Sequence, residues 1–209
     1  MLALALVFAS TFIILRATGI VTIEKIELWL EAAKNTSSVY VAIIVTLLLF
    51  ADLFVAVPTL TVIILGGYFL GSTLGAIAAI IGLFLAGICG YGLSRKYGDL
   101  LINFLIKDRN KRDAAINSFQ HYGAIVILLS RAVPILPEVS ACMAGMTRMS
   151  PTKFLSLWLL STIPYSIIAS YAGSISTLEN PQPAIFTAIG LTAFFWTGWF
   201  MFQKFGVVR

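Results

Sequence analysis

Residues 123–147 read GAIVILLSRAVPILPEVSACMAGMT. Most of this stretch is apolar, yet Arg131, Pro134, Pro137 and Glu138 fall together at its middle. By length it could cross a bilayer once, since a spanning helix needs about 20 apolar residues. The two prolines argue against a straight crossing, because each removes a backbone N–H and crowds the preceding turn. Backbone groups freed in this way are tolerated at membrane depth only where protein or a water-filled cavity surrounds them. The stretch is therefore expected to enter the membrane, turn near residues 130–138 and leave by the side it entered.

Composition sets the solvent. Of 209 residues, 59% are hydrophobic and 11% charged, against roughly 25% charged in an ordinary soluble domain. Mean hydropathy is +0.97, so apolar surface exceeds what one core of this size hides from water. A soluble globular enzyme is excluded. The net charge of +5 comes from Lys and Arg flanking apolar runs. That pattern suits anionic lipid and gives no basis for nucleic acid. Cys89 and Cys142 sit in apolar stretches without paired spacing, which supports neither a disulfide framework nor a zinc site. No GxxxxGK[ST] loop is present, and no cofactor is expected.

Basic residues orient the chain. Arg95, Lys96, Lys107, Arg109, Lys111 and Arg112 precede the quoted stretch, Arg148 and Lys153 follow it, and Lys204 and Arg209 close the chain. The positive-inside rule places all three groups in the cytoplasm, the C-terminus included. The loop 174–183 carries Glu179 and no basic residue, so 154–173 and 184–202 read as two ordinary spans. Ser150-Pro151 is a helix-start signal for the first of them.

A second broken segment is expected upstream. From Val39 to Leu93 the one formally charged residue is Asp52, in a run too long for two straight helices and too short for three with loops. Pro58 and then Gly66, Gly67, Gly71 and Gly75 follow, which predicts a break between Asp52 and Gly67 and a full span ending near Ser94. Small residues recur every fourth position, as Gly67, Gly71, Gly75 and Ala79, and as Ala78, Gly82, Ala86, Gly90 and Ser94. Such rows let helix backbones approach closely. At the N-terminus, Met1–Leu15 reads as a membrane helix, with a signal peptide as the alternative. Thr22–Lys34, with apolar and charged faces, reads as an interfacial helix.

The two halves look like an inverted repeat of re-entrant hairpins, the fold class being an all-α polytopic membrane protein. Residues 1–38 form the N-terminal helices, 39–173 the transport core, and 174–209 the outer loop and last helix. An intramembrane charge facing lipid costs about 2.5 to 3.5 kcal/mol on insertion scales, so Arg131 is expected to pair with Asp52 or Glu138. A purely structural ion pair is the alternative to a binding or proton-relay role.

Pro58, the run Gly66-Gly67-Tyr68-Phe69-Leu70-Gly71-Ser72-Thr73-Leu74-Gly75, Gly82, Gly90 and the exit Ser94-Arg95-Lys96-Tyr97-Gly98 resemble the DedA superfamily. It is also called the VTT-domain or SNARE-associated Golgi protein family. The second half agrees through His121-Tyr122-Gly123, Arg131-x-x-Pro134-x-x-Pro137, Ala144-Gly145-Met146-Thr147 and Phe154. The likeness covers about residues 40 to 173. Two positions depart from the typical bacterial pattern: Pro137 stands where a further arginine is usual, and Pro58-Thr59-Leu60 where a Pro-Gly-Glu-like turn is usual. They point to the branch with Arg-x-x-Pro-x-x-Pro.

The resemblance implies a lipid translocator or scramblase of the bacterial plasma membrane, acting on phospholipid or polyprenyl phosphate, with proton-motive force implicated; no enzyme is expected, because the one histidine, His121, sits beside the basic connector and no GxSG-like loop is present. Arg131 would bind a lipid phosphate through charge-assisted hydrogen bonds, with Asp52 and Glu138 as counter-charges and Pro58, Pro134 and Pro137 completing the substrate-binding set at the tips. A headgroup that displaces a carboxylate from Arg131 leaves an acid able to take a proton, which would couple the two movements. Gly67, Gly71, Gly75, Gly82, Gly90 and Gly145 are read as packing residues. An ion- or solute-coupled transporter on the same residues, or a membrane scaffold, stays open, as does oligomerisation.

Overall fold

Local signals start the helices where the sequence places them. Ser37 accepts a hydrogen bond from the Val39 N–H at 3.2 Å and opens α1, Ser38–Ala51, as a serine N-cap should. Pro151 is the first residue of α5, Pro151–Ser174, and the Phe154 N–H bonds to the Ser150 carbonyl. The computed structural model describes residues 37–55, 57–105, 109–133, 135–177 and 180–206. Between α1 and α5 come α2, Thr59–Leu105, α3, Arg109–Leu129, a 3-10 turn at Ser130–Ala132, and α4, Leu136–Met146; α6, Gln182–Gly206, follows. Every regular element among the described residues is helical.

Among the described residues, three helices are long and apolar enough to cross a membrane: α2 over Thr59–Gly98, α5, and α6 over Gln182–Lys204. The chain is an all-α polytopic membrane protein, and the two expected spans at 154–173 and 184–202 correspond to α5 and α6. The expected helix at Met1–Leu15, the interfacial helix at Thr22–Lys34, Lys107, Pro134 and Glu179 lie outside the described residues.

The expected break after Asp52 is present, since α1 ends at Ala51 and α2 starts at Thr59. A second break was not read from the sequence. Gly71 has φ 79° and ψ 171° inside α2, an essentially glycine-only region of backbone space that costs a residue with a Cβ about 1–3 kcal/mol. A Cβ placed on Gly75 would lie 2.9 Å from the Gly66 carbonyl oxygen. On a straight helix those positions stand about 13 Å apart along the axis, so the chain doubles back at Gly71. The arm 59–70 then measures about 18 Å, α1 about 21 Å and α4 about 17 Å. Each is too short for a hydrocarbon core about 30 Å thick.

The row of small residues therefore does not run along one continuous helix. Around Gly71 a Cβ would meet nothing within 4 Å; its demand is conformational, whereas its neighbours meet backbone. α2 continues through residue 105 and α3 starts at Arg109, running without interruption into the apolar stretch, because no proline lies between Lys111 and Leu129.

The chain folds as two compact units. In one, made of described residues 37–86 and 162–190, a Cβ on Gly67 would collide with the Ser170 carbonyl and one on Gly173 with the Ile64 carbonyl. A Cβ on Gly82 would lie 2.7 Å from the Thr46 carbonyl oxygen. The Thr46 hydroxyl donates to Ala78 at 3.2 Å and the Ser170 hydroxyl to Ser72 at 3.0 Å. In the other, made of 87–161 and 191–206, a Cβ on Gly145 would collide with the Tyr91 carbonyl and one on Gly87 with the Trp158 ring. Gly90 is buried there. Ser161 donates to the Leu128 carbonyl at 3.2 Å, tying α5 to α3. Arg148, at φ 55°, closes α4 in the left-handed region with Met149 N–H bonded to the Ala144 carbonyl, the usual helix-ending geometry taken here without glycine.

These contacts separate the glycines by consequence. Gly67→Ala and Gly145→Ala force helices apart and are each expected to cost about 1–3 kcal/mol or more. Gly92, where a Cβ meets nothing within 4 Å, should accept alanine and gain up to about 1 kcal/mol of helix propensity. Thermal melting of the three variants in detergent checks this ordering.

Candidate functional site

The turn between α3 and α4 is built by residues that cannot continue a helix. α3 and α4 pack against each other, and the chain reverses between them over 130–135. The Ser130 hydroxyl donates to the Ile127 carbonyl at 2.8 Å, satisfying an acceptor at the end of α3. Arg131 lies in the 3-10 turn. Ile135, the N-cap of α4, has φ 76°, an outlier for a β-branched side chain. Pro137 and Glu138 fall in the first turn of α4. There proline loses no helical hydrogen bond and a carboxylate meets the positive end of the helix dipole. The Ser140 hydroxyl donates to the Pro137 carbonyl at 2.8 Å.

Arg131 and Glu138 are both half-buried, and the sequence-predicted Arg131, Pro137, Glu138, Gly90 and Gly145 share one compact unit. The guanidinium carbon of Arg131 lies 5.3 Å from the centroid of the Trp158 ring, over its face. From Trp158 a column of rings continues: Phe154 at 5.5 Å, then Tyr91 stacked on Phe154 at 4.6 Å and 11°. The Tyr91 hydroxyl donates to the Met149 carbonyl at 2.5 Å. Arg95 donates to the same carbonyl at 2.9 Å and also to the Tyr91 hydroxyl. The sequence reading passed over Tyr91 and Trp158. Their signal was the spacing of four in Phe154/Trp158 and Tyr91/Arg95, which puts each pair on one helical face.

The other unit holds Asp52, Pro58, Gly67, Gly71, Gly75 and Gly82. Asp52 is 5% exposed. Its carboxylate accepts the Val57 N–H at 2.8 Å and the Thr59 hydroxyl at 2.6 Å, bridging the end of α1 to the start of α2. Pro58 leads into that start, its carbonyl accepting from Val62 N–H at 3.0 Å. One carboxylate thus ties the two sides of the break together.

Because Val57 is buried, removing its acceptor leaves a donor unsatisfied at about 1–3 kcal/mol. Asp52→Ala should therefore melt earlier than Asp52→Asn, which retains a carbonyl oxygen. Equal losses in thermal melting would mean that charge, and not the acceptor position, is what this break needs.

Three comparisons bear on these features. The VTT domain pattern matches residues 57–175, from the break before α2 to the end of α5. Over 127 residues the chain is 33% identical to "Undecaprenyl phosphate transporter A" of Bacillus subtilis (strain 168), covering 56% of this chain and 64% of that relative. The match thus spans less than two thirds of the relative's length. No solved structure matches the chain. A pattern matched over more than half of the sequence and carried by this succession of broken and full-length helices is decisive: the chain belongs to the VTT-domain, or DedA, family.

Proposed function

We propose that this protein is a translocator of phosphate-bearing lipid, with Arg131 as the residue that receives the headgroup. The observation that carries the reading is a guanidinium held at the turn of a broken α-helical hairpin whose second arm, α4, is too short to cross the bilayer. An arginine there is expensive unless it is used, and its planar fork of donors matches a phosphate. The N-terminus of α4 begins a few residues later and adds the positive end of a helix dipole. The relative named as an undecaprenyl phosphate transporter supports a lipid carrier with a phosphate group as the substrate class.

The order of elements supports an inverted repeat. In the first half a helix, a break, a short arm, a positive-φ residue and a long helix follow one another as α1, 52–58, 59–70, Gly71 and 72–105. The second half repeats this order as α3, 130–135, α4, Arg148 and α5. Each short helix touches a long one through a glycine, Gly67 in one half and Gly145 in the other. In this reading each hairpin is re-entrant and its tip lies at depth, the arrangement that discontinuous helices give to substrate sites of secondary transporters. Acyl tails stay in lipid while the headgroup passes the Arg131 turn. Glu138 supplies counter-charge in the hairpin of Arg131, Asp52 is the acid of the other hairpin, and protons are the coupling ion.

The test is transport of a fluorescent polyprenyl-phosphate analogue, beside a fluorescent phospholipid, in proteoliposomes with and without a pH gradient. Arg131→Ala should reduce transport at least tenfold, the loss expected for a charge-assisted contact worth about 1.5–3 kcal/mol, with Arg131→Lys between. Undiminished transport by a well-folded Arg131→Ala protein would refute the assignment. Transport of solute by vesicles that move neither lipid would favour a solute transporter.

A further inference from the structure

Trp158 is a large side chain, 4% exposed, to which the proposed reaction gives no task. The geometry points to Trp158 as the positioning residue of Arg131: its indole face fixes the guanidinium at the hairpin turn, ready for a phosphate-bearing headgroup. This rests on the phosphate reading of Arg131.

The indole is held independently of the arginine. A Cβ on Gly87 would collide with the Trp158 ring, so the α2 backbone lies against that ring and only glycine leaves the room. Phe154 lies on the same helix at 5.5 Å and is itself stacked on Tyr91, whose hydroxyl is anchored on the Met149 carbonyl. Arg131 sits instead in a three-residue turn that ends three residues before the strained Ile135. The ring is therefore the fixed partner and the arginine the one that follows.

The chemistry of that contact suits a site that must receive an anion. An arginine within about 6 Å of a tryptophan centroid is attracted to the ring's negative face, more strongly when both are desolvated. An indole face steadies a guanidinium without taking up any of its N–H donors. A long side chain ordered before the ligand arrives loses less freedom on binding.

Replacing Trp158 site-specifically with mono-, di- and trifluorinated tryptophan keeps the shape and progressively weakens the face of the ring. Transport of the fluorescent polyprenyl-phosphate analogue should show an apparent KM rising stepwise, to about three- to tenfold for the trifluoro residue, with maximal rate and melting temperature unchanged. Trp158→Phe should fall within the series and Trp158→Leu beyond it. A KM flat across the fluorinated series overturns the proposal, since a merely space-filling ring would give that result. A second readout needs no substrate. In [15N]arginine-labelled protein the Arg131 Nε–H resonance should carry a ring-current shift that Trp158→Leu abolishes, and a resonance indifferent to Trp158 also overturns it. Arg131→Gln that transports normally would instead refute the phosphate reading, whatever the resonance shows.

Discussion

A helix that stops leaves backbone groups without partners, and two of the breaks in this chain meet that demand with their own side chains. At the first, one buried carboxylate, Asp52, takes up the Val57 N–H and the Thr59 hydroxyl and joins the ends of α1 and α2. At the second, hydroxyls act locally: Ser130 satisfies the Ile127 carbonyl and Ser140 the Pro137 carbonyl. Once the ends are satisfied, short helices can persist beside long ones.

Close packing then holds the short helices in place. Lipid tails are as apolar as leucine, so helix association in a membrane relies on contact at short range. Gly67 and Gly173 meet backbone carbonyls in one unit and Gly145 does so in the other. The same requirement explains Gly87, which admits the Trp158 indole and so reaches the arginine at the turn. Strain collects at that turn as well, in Ile135 at φ 76°. Backbone held in a sparsely populated region is common where surrounding packing over-determines a functional loop.

Much of this was legible in the sequence because it followed from single residues. Ser150-Pro151 announced α5, the gap after Asp52 announced a break, and Arg131 between a helix and two prolines announced a turn. Gly71 was less legible, because a glycine that packs and a glycine that reverses the chain look alike within a run of small residues; only its φ of 79° separates them. The aromatic column was missed because Tyr91 belongs to α2 while Phe154 and Trp158 belong to α5, and the spacing of four within each helix does not say that the two faces meet. The role of Asp52 as an acceptor for two donors was likewise hidden, since a lone acid in an apolar run suggests a counter-charge first.

The central claim is that the charged turn at 130–138 lies within the membrane, entered and left from the same face. Its most direct measurement places single cysteines at Ser118 and Ser150, both exposed, in a chain with Cys89 and Cys142 replaced by alanine. Each is labelled with a membrane-impermeant maleimide in vesicles of known orientation. The account predicts that both positions react from the cytoplasmic face alone. Labelling of the two from opposite faces would make 123–147 a simple crossing and would contradict it.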